Sequence, residues 1–501
     1  NTLSINDNGK NLLKDISGEL FYASKGNSIY FSSSNFENNK GIKISFTGSK
    51  TSKTPSIKIS IQSRLDDIVS NLNISDEFST LEYDGMINTN IYYHADTIFS
   101  EIDIEDLVIN NADVLYVSSS EIKLYTASTH IYSDKFDLSI NDERFVSRIT
   151  TRSDSKSQKF ILTSKGLLDI KKLKDHIDVK NLIDGETKIK AVVTYDYHQK
   201  ELSSFITSNL KGVKLNLMEP LNKTKNENAN FILKYQHYPK IKYPTIITLA
   251  EHEFKFRQDV ENLYSEIKSP IARGYMKYPL KITPDSTITG SFEYIDTNLL
   301  RTDGVSNLLP KLNIKSKYVK TSKAVLDDVH LILSPKDEYI LIDKFSFNNL
   351  HLQMNSSGKW YRGNNEKTEI IADVKSDNLG KALSGLDYPN VLKGGNLEAK
   401  LNAQWNGSIE DFTFASTQGE LQFTILNGQI NELDKKTQAI GQVLGLLSIS
   451  SIPKRLSLDF SDFFSKGLKF DNLKSDISLA NGVADTKKMI SLGSFGEMRL
   501  S

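Results

Sequence analysis

The chain has 501 residues, more than one compact core usually holds, so several domains or an elongated repeat architecture are expected. Lys+Arg and Asp+Glu are both 62, and this zero formal charge leaves no overall field favouring nucleic acid or an anionic membrane surface. The absence of cysteine excludes disulfides, thiolate metal sites and cysteine nucleophiles.

The chain opens on Asn1-Thr2-Leu3, without Met and without a basic stretch leading into an apolar one. A fragment or processed product is therefore expected, with any membrane anchor elsewhere. No run approaches the roughly 18 apolar residues that span a bilayer. The first strong pattern has period two: Ile57, Ile59 and Ile61 alternate with Lys58 and Ser60. Asp84-Gly85 reads as a hairpin turn. Ile102 and Ile104 then alternate with Glu101, Asp103 and Glu105, and 153–159 reads as a polar loop. Over residues 200–209, Leu202, Phe205 and Ile206, with Leu210 just beyond, have helical spacing and predict a short helix; 222–230 is a polar loop.

Period two returns with Leu312, Ile314 and Tyr318 against Lys311, Asn313, Lys315 and Lys317. A short helix is predicted over 378–386, with Leu379, Ala382, Leu383 and Leu386 on one side. Asn406-Gly407, Asn427-Gly428 and Asn481-Gly482 mark further hairpin turns, and between them Leu421, Phe423 and Ile425 alternate with Gln422 and Thr424. The clearest helical stripe is Ile440, Val443, Leu444 and Leu447 within 434–448, closed by Pro453 and packing on the sheet or on a lipid or partner. Leu456, Leu458 and Phe460 then alternate with Ser457 and Asp459. Successive strand residues point to opposite faces, so each such segment has one apolar and one wet face, the pattern of antiparallel sheet solvated on one side. The expected fold is mainly β, with few helices. The candidate inward positions are Ile57, Ile59, Ile61, Ile102, Ile104, Leu312, Ile314, Leu421, Phe423, Ile425, Leu456, Leu458 and Phe460. Ordinary buried core is the competing reading for each.

Catalytic patterns do not emerge. The eight histidines, His94, His130, His176, His198, His237, His252, His330 and His351, form no HxxxH or HExxH pair that would place zinc ligands on one face. Gly493-Ser494-Phe495-Gly496 lacks the residue that GxSxG needs before its serine, and there is no GxxxxGK[ST] loop. Glu101, Asp103 and Glu105 share a strand face and could hold Ca²⁺, although a solvated outer face explains them as well. Lys311, Lys315, Lys317, Lys320 and Lys323 could meet phosphates or lipid headgroups; no aromatics are interleaved for a nucleic-acid groove. No enzyme activity, metal, cofactor or nucleic-acid partner is expected.

Several stretches resemble the AsmA-like family of the YhdP type. The most specific is 441–470, where Gly445-Leu446-Leu447-Ser448, Pro453-Lys454-Arg455-Leu456, Leu458-Asp459-Phe460 and Phe464-Ser465-Lys466-Gly467 stand in the family's order and spacing. Gly358-Lys359-Trp360 is similar to its Gly-x-Trp strand. Leu379-Gly380 through Leu386-Asp387-Tyr388-Pro389 to Leu392-Lys393-Gly394-Gly395 is similar to its leucine-rich helix and basic-Gly-Gly step, and Phe414-Ala415-Ser416, Gly419-Glu420-Leu421 and Asn427-Gly428 to the next hairpin. Leu210-Lys211-Gly212-Val213 to Pro220-Leu221 is similar to an upstream segment, with Met218-Glu219 replacing the first proline and its neighbour. Met489 to Leu500 resembles a penultimate strand, so continuation past Ser501 is expected.

The resemblance implies a long curled antiparallel β-sheet forming an apolar groove of repeating type. It divides the chain into a first groove segment over 1–200, a second over 201–340 and an AsmA-like C-terminal region over 341–501. It implies non-enzymatic phospholipid transport across the periplasm between inner and outer membrane, with an inner-membrane anchor outside this chain and a possible outer-membrane partner. The alternatives are an envelope assembly scaffold without lipid, an adhesive β-solenoid, which would show more regular repeats, and a carbohydrate-active β-protein, which would need aromatic platforms where only Trp360 and Trp405 are available.

Overall fold

A computed structural model describes residues 3–500 apart from 8–9, 17, 38–40, 52–53, 72–80, 112–114, 128–129, 154–156, 174–181, 218, 238–241, 284–285, 300–309, 323, 364–365, 386–391, 414–415, 431–467, 481–482 and 495. The fold is mainly β: strands take up 75% of the described residues, organised as mixed sheet with only short helices. The chain divides into two compact units, Asn1–Leu217 with Leu221–Lys255, and Phe256–Ser501 with Met218–Pro220.

In the first unit the strands pair antiparallel with near neighbours in sequence, from Leu20–Lys25 through Ser28–Ser33, Lys43–Lys50, Pro55–Arg64, Glu82–His94, Thr97–Asn111, Leu115–Ala127, Glu143–Ser153, Gln158–Asp169 and Ile183–Asp196 to Glu201–Ser208, Phe231–His237 and Thr245–Leu249, while the short strand Val213–Leu215 pairs back with Ile183–Gly185. One strand is broken in two, His130–Ser133 and Phe136–Ile140, and both pieces bridge Leu115–Ala127 to Glu143–Ser153. Leu3–Asp7 and Lys10–Ile16 form a separate two-stranded sheet. Two helical stretches, Leu65–Asn71 and Ile170–Leu173, each follow a strand, and those two strands run in the same direction. Both therefore lie at the same edge of the sheet. There Lys172 reaches back to the adjoining hairpin, with Nζ 2.7 Å from Glu143 Oε1 and 3.3 Å from the Asp142 carbonyl oxygen.

The second unit continues in the same manner from Asn262–Lys268 through Tyr339–Asn349, Leu392–Asn406 and Gln418–Ile430 to Gly496–Leu500. One pairing departs from the antiparallel expectation: Thr287–Asp296 and Lys311–Lys320 run parallel, Thr287 opposite Lys311 and Asp296 opposite Lys320. Parallel neighbours need a connection that returns to the strand's starting end. The helix Leu379–Gly385 forms where 378–386 predicts it, and Asn378 Oδ1 accepts a hydrogen bond from Lys381 N at 3.1 Å as its N-terminal cap.

The helix expected over 200–209 is instead the strand Glu201–Ser208, hydrogen-bonded on both sides to Ile183–Asp196 and Phe231–His237. Leu202, Ser204, Ile206 and Ser208 occupy one face, so serine hides a period-two pattern, and two waiting sheet edges override local spacing. The turn expectations also shift. Asp84-Gly85 lies inside Glu82–His94 as a bulge: Gly85 has φ +135°, and the register slips between Asp84 and Met86 opposite Asp106, whose φ is +51°. Asn427-Gly428 lies inside Gln418–Ile430, with Asn427 at φ +55°. Asn406-Gly407 ends its strand but opens a longer connection, and the strands flanking 481–482 pair Ala480 with Val483 while those two residues lie outside the described set. A positive φ serves a bulge as readily as a two-residue turn, so the dipeptide alone does not separate them. The tight hairpins actually use Ala95-Asp96 (φ +46° and +64°) and Asn141-Asp142 (φ +47° and +64°). The helix predicted over 434–448 lies outside the described residues.

Candidate functional site

Cross-strand partners share a face, so the register traces each face from strand to strand. In the first unit one row runs Ile44, Ile61, Thr89, Ile102, Leu124. A neighbouring row runs Phe46, Ile59, Ile91, Ser100, and a third Ser63, Ile87, Ile104, Ile122. Farther along, Ile149, Leu162, Val193 and Ser204 continue the face. In the second unit one row crosses ten strand junctions: Ser265, Met276, Gly290, Ile314, Leu331, Phe345, Ser356, Ala372, Leu401, Leu421, Ile477. Beside it lie Leu312, Leu333, Ile342, Gly358, Ile370 and Ala403 on one side and Met354, Val374, Ala399, Phe423 and Ser475 on the other. Each unit thus carries an apolar face several rows wide that is continuous across its strands.

The structure places Ile57, Ile59, Ile61, Ile102 and Ile104 together on the first unit's face, all half-buried, and Leu312, Ile314, Leu421, Phe423 and Ile425 together on the second's. Of the latter, Phe423 and Ile425 are 8% and 6% exposed, and the other three half-buried. Leu456, Leu458 and Phe460 lie outside the described residues. Packing is local. The buried residues form separate clusters, each drawn from neighbouring strands and from short elements at strand ends: Leu65 joins the cluster around Ile122, and Leu379 the one around Phe423. A domain covered by a second layer normally has one contiguous core; in the clusters around Ile122, Ile342 and Phe423 the described strand residues all come from the large sheet, whereas Val213 and Leu215, on a short strand paired with Ile183–Gly185, pack with Phe231 and Leu249.

Sequence reasoning missed many positions on this face, among them Ile91, Ile122, Leu162, Ile342, Ile370 and Ile477. Their rows are interrupted by buried hydroxyls, which break the apolar alternation. Several of those hydroxyls are satisfied within the sheet. Ser147 and Ser164 Oγ are 2.8 Å apart, Thr187 Oγ1 and Ser208 Oγ 2.9 Å, while Ser119 donates to the Asp137 carbonyl at 2.7 Å and Ser356 to the Phe345 carbonyl at 2.8 Å. A satisfied hydroxyl presents only its small methylene to the face.

The opposite face is wet and charge-compensated. Glu101 accepts from Tyr92 at 3.2 Å, Glu105 from Asn88 at 3.2 Å, and Asp103 stands opposite Lys123. Among the described residues no group of three or more histidine and carboxylate side chains is placed to hold a metal ion. Lys311, Lys315 and Lys317 point away from Leu312 and Ile314. Lys320 pairs with Asp296 at 3.1 Å, and Lys323 lies outside the described residues. An open hollow of about 720 Å³ in the second unit is rimmed by Asp373, Lys375, Glu398, Lys400, Asp476 and Lys488. The register sets Asp373 opposite Lys400, Lys375 opposite Glu398 and Asp476 opposite Lys488, so its charges cancel in pairs.

Residues 245–501 match the family described as YhdP protein. Among curated proteins, the chain is similar to one named "Intermembrane phospholipid transporter YhdP" from Escherichia coli (strain K12), with 23% identity over 135 residues. That alignment covers 27% of this chain and 10% of the relative, so it spans about a tenth of the relative's length. No solved structure matches the chain.

Proposed function

The chain belongs to the YhdP protein family, and from that premise we propose that it is a non-enzymatic segment of an intermembrane phospholipid carrier whose apolar β-faces shield acyl chains in a groove. The observation that carries this reading is the continuity of the apolar rows from strand to strand within each unit. Leaving a CH₂ in water costs about 0.8 kcal/mol, so two sixteen-carbon tails face a barrier of about 25 kcal/mol on leaving a bilayer. A hydrogen-bonded sheet with one apolar face removes most of that barrier without a nucleophile, a metal or nucleotide. We place the segment in the periplasm, between an inner-membrane anchor and an outer-membrane partner. No helix among the described residues is long and apolar enough to cross a membrane itself. Transport between membranes is named for the E. coli relative, and we carry it to this chain as its role.

Native mass spectrometry of the chain purified from a Gram-negative host, followed by lipid extraction, tests the reading. Several phospholipids bound per chain are expected. A lipid-free protein that also fails to take up a fluorescent phospholipid would contradict it and favour an envelope scaffold.

A further inference from the structure

Two buried hydroxyls among the described residues stand out because their oxygens have no hydrogen-bond partner, Ser265 and Ser491. Ser265 is 2% exposed and opens the longest apolar row of the second unit, opposite Met276. Beside it in the same hairpin, Tyr278 stands opposite Leu263 on the same face. Its hydroxyl lies 2.8 Å from Met276 Sδ, and a thioether is a poor acceptor. Burial pushes the Tyr278 phenol up, and hydrogen-bonding interaction with the Ser265 hydroxyl offsets part of that shift, although no bond of ordinary geometry joins the two oxygens. Two O–H donors therefore sit together on an otherwise apolar face, one without a hydrogen bond of ordinary geometry and one spent on sulfur. An unpaired buried hydroxyl is unfavourable, and a ligand acceptor placed there recovers the lost hydrogen bond. Met276, unbranched and soft, lies between them and yields readily to a ligand.

Resting on the carrier reading above, we propose that Ser265 and Tyr278 form a polar foothold that donates hydrogen bonds to the ester carbonyl of a lipid acyl chain passing along the apolar face. The glycerol ester is the acceptor nearest the tails, so it meets a pair of donors set within an apolar row, while the headgroup stays in water. The foothold makes the carrier sense the ester linkage rather than tail length alone.

The test compares dioleoyl phosphatidylglycerol with its dialkyl ether counterpart, which has the same headgroup and tails but no ester carbonyl. Each competes with a fluorescent phospholipid for the purified chain and for its Ser265→Ala/Tyr278→Phe variant. The unmodified chain should prefer the ester lipid about fivefold or more, the worth of one neutral hydrogen bond. The variant should lose that preference while keeping its affinity for the ether lipid. Equal binding of the two lipids by the unmodified chain, or a preference that survives in the variant, overturns the foothold and leaves the carrier reading standing. Binding of neither lipid overturns both.

Discussion

Lys223 brings its ammonium group into a loop of the first unit, where it is 8% exposed and, although Glu227 lies near enough to attract it, hydrogen-bonds no carboxylate. It donates instead to three carbonyls, those of Leu210 at 2.8 Å, Val213 at 2.6 Å and Thr224 at 2.9 Å, and so ties 210–213 to 223–224. Lys223→Met keeps the aliphatic stem but strands three acceptors. A loss of about 1–3 kcal/mol is expected in urea unfolding, with the β-type circular dichroism unchanged. His252 is 3% exposed, and burial holds its imidazole below the ordinary value of 6.5, with Glu251 opposing the shift. The folded state then binds a proton less readily than the unfolded chain. The stability this supplies is complete above pH 6.5 and lost as pH falls through the folded-state value. Melting temperature should therefore fall on acidification, and less steeply in His252→Gln. Parallel pH curves for the two proteins would show that His252 carries no such linkage.

At the scale of elements, the helix Leu379–Gly385 seats on Leu392–Asn406 through Gly380, where an added Cβ would lie 2.2 Å from the Leu392 carbonyl oxygen. Gly380→Ala must push helix and strand apart. We expect a cost of about 1–3 kcal/mol and faster amide hydrogen exchange confined to the helix and that strand. The helix was legible in the sequence because Leu379, Ala382 and Leu383 repeat at helical spacing between loops. Ile57-x-Ile59-x-Ile61 and Leu421-x-Phe423-x-Ile425 were legible because branched and aromatic residues alternate with polar ones without interruption. Glu201–Ser208 was not, since its inward serines look polar and Phe205 sits on the outer face. Nor were the bulge at Asp84-Gly85 and the in-strand place of Asn427-Gly428, because the same left-handed backbone suits a turn. The parallel strand pair had no local signature either, being set by a connection rather than by either strand. As for the candidate site, alternation identified its face, while the buried hydroxyls concealed how far the rows run.

At the scale of the whole molecule, we propose one face of each unit as a path for acyl chains and the other as a solvated support. A charge set into that path should block it without unfolding a sheet whose hydrogen bonds are untouched. Ile59→Asp together with Ile314→Asp should lower phospholipid transfer between vesicles about tenfold or more, a barrier increase of at least about 1.4 kcal/mol, while circular dichroism stays β-type. Unchanged transfer in a folded variant would remove these positions from the path.

The most direct measurement places a photoreactive residue at Ile59, Ile314 or Phe423, and in matched chains at their outward neighbours Lys58, Lys315 or Gln422. Irradiation in Gram-negative cells is followed by mass spectrometry of the cross-linked product. Phospholipid adducts are predicted at the first three positions and not at the second three. Adducts equally frequent on both faces, or absent from both, would contradict an apolar face that carries lipid.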